Sequence, residues 1–393
     1  MNAQVVASHR TREDVHLVGH GRDDLGAVLF SSLRRSDQRL RARQYLGGLL
    51  AAQGRKSIRN IATLTGGAAV EQSLHHFISS STWDWSPIRA ALVEQVEQVL
   101  APRAWVVRPL FIPKAGDHSV GVERQLVPEL GQEANGQLAF GTWAVGEKAA
   151  VPVRWRLRLP ESWLEDPRRR RRAEIPDDAE AETPDECATT TALTALRRWR
   201  EMGRPVLLDA RVSGLSRLVR PFVAAGVPLL TRVRAGTRLI VADPAVPGHR
   251  AGAIPAHRIL ESVRSLRRPL GTATGPVHPL ALVSTVRVRL AESGFPTELL
   301  LIGEWHDDGR TPTALWLSAP SGATDGDMVR ATRLAGRVAR DEKQIGQQVG
   351  LRDFEGRSFR GWHRHMTLAS VAHSVSALER PDALDARTRQ ICA

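Results

Sequence analysis

Residues 104–125, AWVVRPLFIPKAGDHSVGVERQ, open like a buried strand and close as a polar loop that carries Lys114, Asp117 and His118. At the strand's centre stands Arg108-Pro109, with apolar residues on both sides. Proline donates nothing to a sheet ladder. A buried guanidinium is costly unless something nearby pairs with it, so Arg108 needs a partner, and its position suggests that an earlier residue has been replaced. Asp209 lies near the C-terminal end of a second buried strand, RPVLLDARV. Farther on, GWHRH sets His363 and His365 around Arg364. A metal site there would need a third ligand at a sensible spacing, and the neighbouring sequence supplies none. A structural role remains, or a phosphate-facing one at the start of the last helix, where free N–H groups favour an anion.

The helices and strands around these residues follow from periodicity and turn signals. Residues 1–25 are polar and without period, an arm. Residues 26–100 carry helical periodicity, with Leu40, Tyr45, Leu49 and Leu50 on one face, a break at Gly54 and a restart at Ser57. Ser86 and Pro87 open a further helix as cap and first turn. Trp83 and Trp85 are placed to pack the domain junction. After Pro102 the pattern changes to strands at 104–112, 136–146 and 150–160, a possible antiparallel meander. Next come a charged loop, a helix stopped by Gly203, and the strand that ends in Asp209. Three antiparallel strands, a helix and a strand with a carboxylate at its end outline a ribonuclease H-like core. The fold class is therefore α+β or α/β, a mixed sheet flanked by helices. The core spans 101–235 and 321–385, with a β-rich subdomain inserted at 236–320 and the helical domain ahead of it.

The chain of 393 residues carries 55 Lys plus Arg against 42 Asp plus Glu, a net charge of +13, most of it arginine. The natural partner is an anionic polymer, since the planar guanidinium fork suits phosphate; coding bias toward arginine is the alternative. The densest cluster is in the helical domain: Arg34, Arg35, Arg39 and Arg43, then Arg55, Lys56 and Arg59, the first choice for DNA contacts. Lys114, His118 and Arg364 are further candidates. Arg330, Arg333, Arg337 and Arg340 share one face of a late helix, either a solvated stripe or a row that tracks a DNA backbone. The run Arg168 to Arg172 is either a nucleic-acid contact or a loop neutralised by the acidic block after it. Two cysteines, Cys187 and Cys392, give no disulfide framework. Without a signal-peptide core or a run of about 18 apolar residues, a cytoplasmic, nucleoid-associated protein with no membrane contact is expected.

The blocks SDQRLRARQYLGGLL, TWDW, PKAGDHSVGVERQ, LGQEANGQLAFG, WRLRLPESW, VLLDA and VGLRDFEGRSFRGWHRHMTLASVAH, in this order, resemble a bacterial insertion-sequence transposase of the DDE superfamily. The resemblance implies three carboxylates holding two divalent metals that cut and join phosphodiesters, and synaptic dimers on DNA. Carried over by position, the family's first Asp falls on Arg108, the second on Asp209, and the late-helix carboxylate on Ala339, with its following Lys on Gly346. Two of three ligands are thus expected to be lost, leaving Asp209 as a remnant. The expectation is a transposase-like DNA-binding protein without catalysis, retained in a regulatory or architectural role, with no cofactor and a possible homodimer. The alternative is an active transposase whose ligands have been rebuilt from Asp117, Asp209 and Glu342 (or Asp341), taking magnesium or manganese.

Overall fold

A computed structural model describes residues 26–127, 131–269, 282–292, 296–306, 309–319 and 323–379. The expected arm at 1–25, Cys392 and part of the 236–320 segment lie outside the described residues.

Among the described residues, a helical turn at 26–29 and then α1 (Ser36–Ala51), α2 (Ile58–Thr65), α3 (Ala68–Ser79) and α4 (Ser86–Leu100) precede the first strand. On α1, Ala42, Tyr45, Leu46 and Leu49 are buried at three- and four-residue spacing, as one apolar face requires. Gly48 lets α2 approach closely, because a Cβ there would lie 2.2 Å from Ile61 Cγ2. Ser57 caps α2 by accepting the Asn60 N–H at 3.1 Å. At α4 the cap sits one residue earlier than the sequence suggests: Ser86 is already helical, and its N–H donates to Asp84 Oδ1 at 2.8 Å.

Among the described residues, twelve strands form one sheet. They are β1 (Ala104–Pro113), β2 (Val122–Val127), β3 (Gln132–Val145), β4 (Ala150–Leu157), β5 (Val206–Arg211), β6 (Leu229–Arg232), β7 (Arg238–Val241), β8 (Ala253–Pro255), β9 (Arg268–Pro269), β10 (Leu282–Leu290), β11 (Leu299–Trp305) and β12 (Ala314–Ser318). The main order is β2-β3-β1-β5-β6-β12-β11-β10-β7-β8, with β4 also on β3 and β9 also on β10. Antiparallel β3 flanks β1 on one side and parallel β5 and β6 follow on the other, a ribonuclease H-like mixed sheet. The inserted strands continue this sheet, since β12 pairs antiparallel with β6. Strand β2 lies in the stretch that reads as a polar loop; it is an edge strand with Arg124 and Leu126 exposed, and its half-buried Glu123 and Gln125 accept from Arg158 at 2.8 and 3.4 Å.

The order of pairing explains Arg108-Pro109. Strand β5 pairs with β1 only at Trp105, Val106 and Val107, so Pro109 lies beyond the last parallel pairing and β1 has an open edge there. Helices pack on this sheet: α5 (Glu161–Leu164) and α6 (Pro167–Arg172) after β4, α7 (Pro184–Trp199) and α8 (Leu215–Ala225) around β5, α9 (Ala256–Ser262) by the inserted strands, and α10 (Asp325–Asp341) and α11 (Phe359–Leu378) after β12. The arginine run, expected as a loop, is helix α6. Asp166 accepts the N–H groups of Arg168 and Arg169 at 2.8 and 3.2 Å, Pro167 stands in the first turn, and arginine is a good helix former.

Helix α11 is buried on nearly every residue from Gly361 to Val375 because it lies between β4 and the first domain. Its polar side chains are satisfied there. His365 Nε2–H donates to Gly350 O at 2.9 Å, which leaves Nδ1 to accept the Tyr45 hydroxyl at 2.8 Å. Burial outweighs these contacts and pushes the His365 pKa down to about 4. The unfolded chain, with an ordinary histidine near 6.5, therefore binds the proton first as pH falls. Stability from this group is complete above pH 6.5 and is lost on descent toward pH 4, by about 3 kcal/mol in all. Urea midpoints measured between pH 7 and pH 4.5 should fall, and His365→Gln should flatten that slope.

Candidate active site

Arg108 and Asp209 stand side by side where the parallel pairing of β1 with β5 ends, each one residue past the last pair, Val107 and Leu208. The Arg108 guanidinium bridges two carboxylates. Its Nη1 donates to Asp209 Oδ2, and its Nε donates to Glu342 Oε2 at 3.0 Å. Arg232, the last residue of β6, donates through Nε to Asp209 Oδ1 and lies 4.4 Å over the Trp316 ring. Arg352 donates to Glu342 Oε1 at 2.7 Å and to Phe111 O at 3.2 Å. Every oxygen of the two carboxylates thus accepts an arginine N–H. Burial works against a charged Arg108, but the attraction and hydrogen bonds of Asp209 and Glu342 outweigh it, and its pKa is raised above the ordinary arginine value.

Glu342 follows directly on α10, its N–H still bonded to Val338 O, and opens the π-helical turn Glu342–Gly346. The side chain that meets Asp209's partner is Glu342, three positions after Ala339. Ala339 and Gly346 bring no functional group to the cluster. Its neighbour Asp341 faces elsewhere, accepting the Ala150 N–H at 2.8 Å.

Compared with known proteins, residues 28–273 match the family described as DDE superfamily endonuclease. The chain belongs to this family. It is also similar to a protein from Microchaete diplosiphon named "Probable transposase for insertion sequence element IS701", 30% identical over 123 residues. That match spans 30% of this chain and 31% of the relative.

DDE superfamily chemistry implies divalent metal, and the residues here do not fit it. A hard cation needs several carboxylate oxygens with lone pairs turned to it. Asp209 and Glu342 instead turn theirs to three guanidinium groups, and a positive side chain lies between them. Two carboxylates against three arginines leave a local charge of about +1, which repels a divalent ion. Asp117 does not complete the set: it is exposed and pairs with His118 at 3.1 Å and Arg169 at 3.4 Å. Among the described residues, no three His, Cys, Asp or Glu side chains gather as a metal site.

The expected DNA-contacting residues divide by exposure. Arg34, Arg35, Arg43, Arg55 and Arg59 are exposed, with Arg35 paired to Asp37 at 2.9 Å and Arg55 to Glu355 at 3.2 Å. Arg39 is half-buried and donates to Leu33 O at 2.6 Å. His118, Arg330, Arg333 and Arg340 are also exposed, while Arg337 is half-buried against Glu147 O at 3.0 Å. Two candidates are corrected. Lys56 is 4% exposed, with Nζ on Ala52 O, and Arg364 is 1% exposed, donating to Trp83 O at 3.2 Å and Ile78 O at 3.1 Å. Both tie backbone carbonyls inside the domain junction and face no solvent. His363 is buried too, stacked on Trp85 with ring centroids 5.0 Å apart, which leaves it no phosphate to face. Lys114 is half-buried on Phe354 O, and burial lowers its pKa to about 8.

Sequence reasoning missed Arg232 and Arg352. Arg232 had a signal, because it ends the strand next to Asp209's strand. Arg352 had none, since its partner Glu342 lies across the turns that separate α10 from α11.

Proposed function

We propose that this DDE superfamily protein binds duplex DNA and does not cleave it, serving a regulatory or architectural role in the bacterial cytoplasm. The observation that carries this reading is the Arg108 guanidinium held between Asp209 and Glu342. Where cleavage needs oxygens free to hold a cation, the chain has neutralised them with its own side chains. The net charge of +13 and the exposed arginines of the helical domain support a nucleic-acid partner. Among the described residues no helix is long and apolar enough to cross a membrane. Self-association is part of the proposal, since paired DNA ends need paired proteins.

A second reading, an active transposase, has one observation in its favour. Asp209 and Glu342 still converge on a single cation, although that cation is an arginine. One experiment separates the two. Incubated with labelled duplex in magnesium or manganese, the protein should retain DNA on a filter and leave its strands intact. Retention should weaken with salt at a log–log slope of about −5 if six phosphates are neutralised. Cut strands that disappear in Asp209→Ala would replace the first reading with the second.

A further inference from the structure

The cluster that excludes a metal has the features of a site for the opposite charge. We propose that Arg108, Arg232 and Arg352 form a phosphate-binding site, with one phosphodiester of DNA, or a free phosphate, as its ligand. The inference deepens the DNA-binding reading and rests on it only for the source of the phosphate.

The acids lie beneath and the guanidinium groups lie above. Side-chain exposure is 3% for Asp209 and 9% for Glu342, against 24% for Arg108, 27% for Arg232 and 34% for Arg352. An arriving anion therefore meets arginine first. Each arginine also keeps donors in hand. Arg108 commits Nε and Nη1 to the acids, Arg232 commits Nε, and Arg352 commits Nε and Nη2. The remaining Nη groups have no partner among the described residues, and none of them is a buried orphan, so they reach solvent. Guanidinium forks match tetrahedral phosphate oxygens.

The two carboxylates change meaning in this light. They fix three flexible side chains at one sheet edge before a ligand arrives, which removes most of the ordering cost of binding. The Trp316 ring does the same for the plane of Arg232. With three positive and two negative groups, a net charge of about +1 remains to attract a phosphate.

The test titrates the full chain with inorganic phosphate, against chloride at equal ionic strength, by calorimetry. Wild type should bind one phosphate. Arg352→Gln, at the most exposed arginine, should weaken binding about tenfold, and Glu342→Gln, which releases two guanidinium groups, should tighten it about tenfold. A structural cluster with no ligand would give no phosphate heat, or variants that shift together, and either result overturns the proposal. Adding duplex DNA sets the source: displacement of phosphate assigns the site to the DNA backbone, and retention assigns it to a free phosphate. Filter retention of duplex, measured separately, reports on DNA binding whether or not this site exists.

Discussion

Arg108→Asp should bind manganese at least about 100-fold more tightly than the natural chain does. The change removes the guanidinium between Asp209 and Glu342 and adds a third carboxylate just past the last pairing of β1 with β5. Cluster charge then moves from about +1 to about −1. Each unit pair at about 4 Å is worth about 4 kcal/mol at an effective dielectric of 20, so two units against a divalent ion amount to about 16 kcal/mol before screening. A fifth of that is still a gain of more than about 100-fold. Without metal the variant should be less stable than the natural chain, because three carboxylates crowd a half-buried site. Manganese should raise its thermal midpoint in a concentration-dependent way, and the natural chain should show no such rise. A variant indifferent to manganese would mean that the carboxylates do not converge as described.

Arg364→Ala should cost about 4 kcal/mol of stability and leave the DNA affinity of the folded fraction unchanged. Arg364 is among the largest fully buried side chains, and its ring contact places the guanidinium carbon 5.4 Å from the Trp83 centroid. Burial is the main influence that lowers its pKa, to about 10, so it stays charged at neutral pH. Truncation would leave Trp83 O and Ile78 O without these donors and open a cavity between α11 and the helical domain. Unmet acceptors cost about 1–3 kcal/mol each, and large-to-small core changes cost about 3–5 kcal/mol. Arg364→Lys keeps the charge but not the fork, and should recover less than half of the loss. Urea unfolding followed by circular dichroism measures both. A loss below about 1 kcal/mol, or weaker DNA retention at full stability, would return Arg364 to the DNA surface.

These two residues show what a sequence reveals and what it hides. Asp209 was legible because a carboxylate closing a buried strand, after three strands and a helix, is a local pattern. Arg108 was legible as an anomaly, since charge and proline rarely share a strand interior. Glu342 stands three residues after Ala339, the position that the resemblance gives, and only the fold brings it to Arg108. Arg364 and Lys56 read as surface cations because their acceptors are backbone carbonyls, which one-dimensional patterns do not display. The α6 arginines looked like a loop from charge alone, while the deciding signals, Asp166 and Pro167, stood just ahead of them. Periodicity fixed most elements, and the site was obscured wherever a distant segment supplied the partner.

In the proposed reading, arginine has taken the place of metal between Asp209 and Glu342. The most direct measurement is a calorimetric titration of the natural chain with manganese, run beside Asp209→Ala. No saturable heat is expected in the natural chain and none in the variant. A stoichiometric isotherm in the natural chain that vanishes in Asp209→Ala would contradict that reading, and would put the active transposase first.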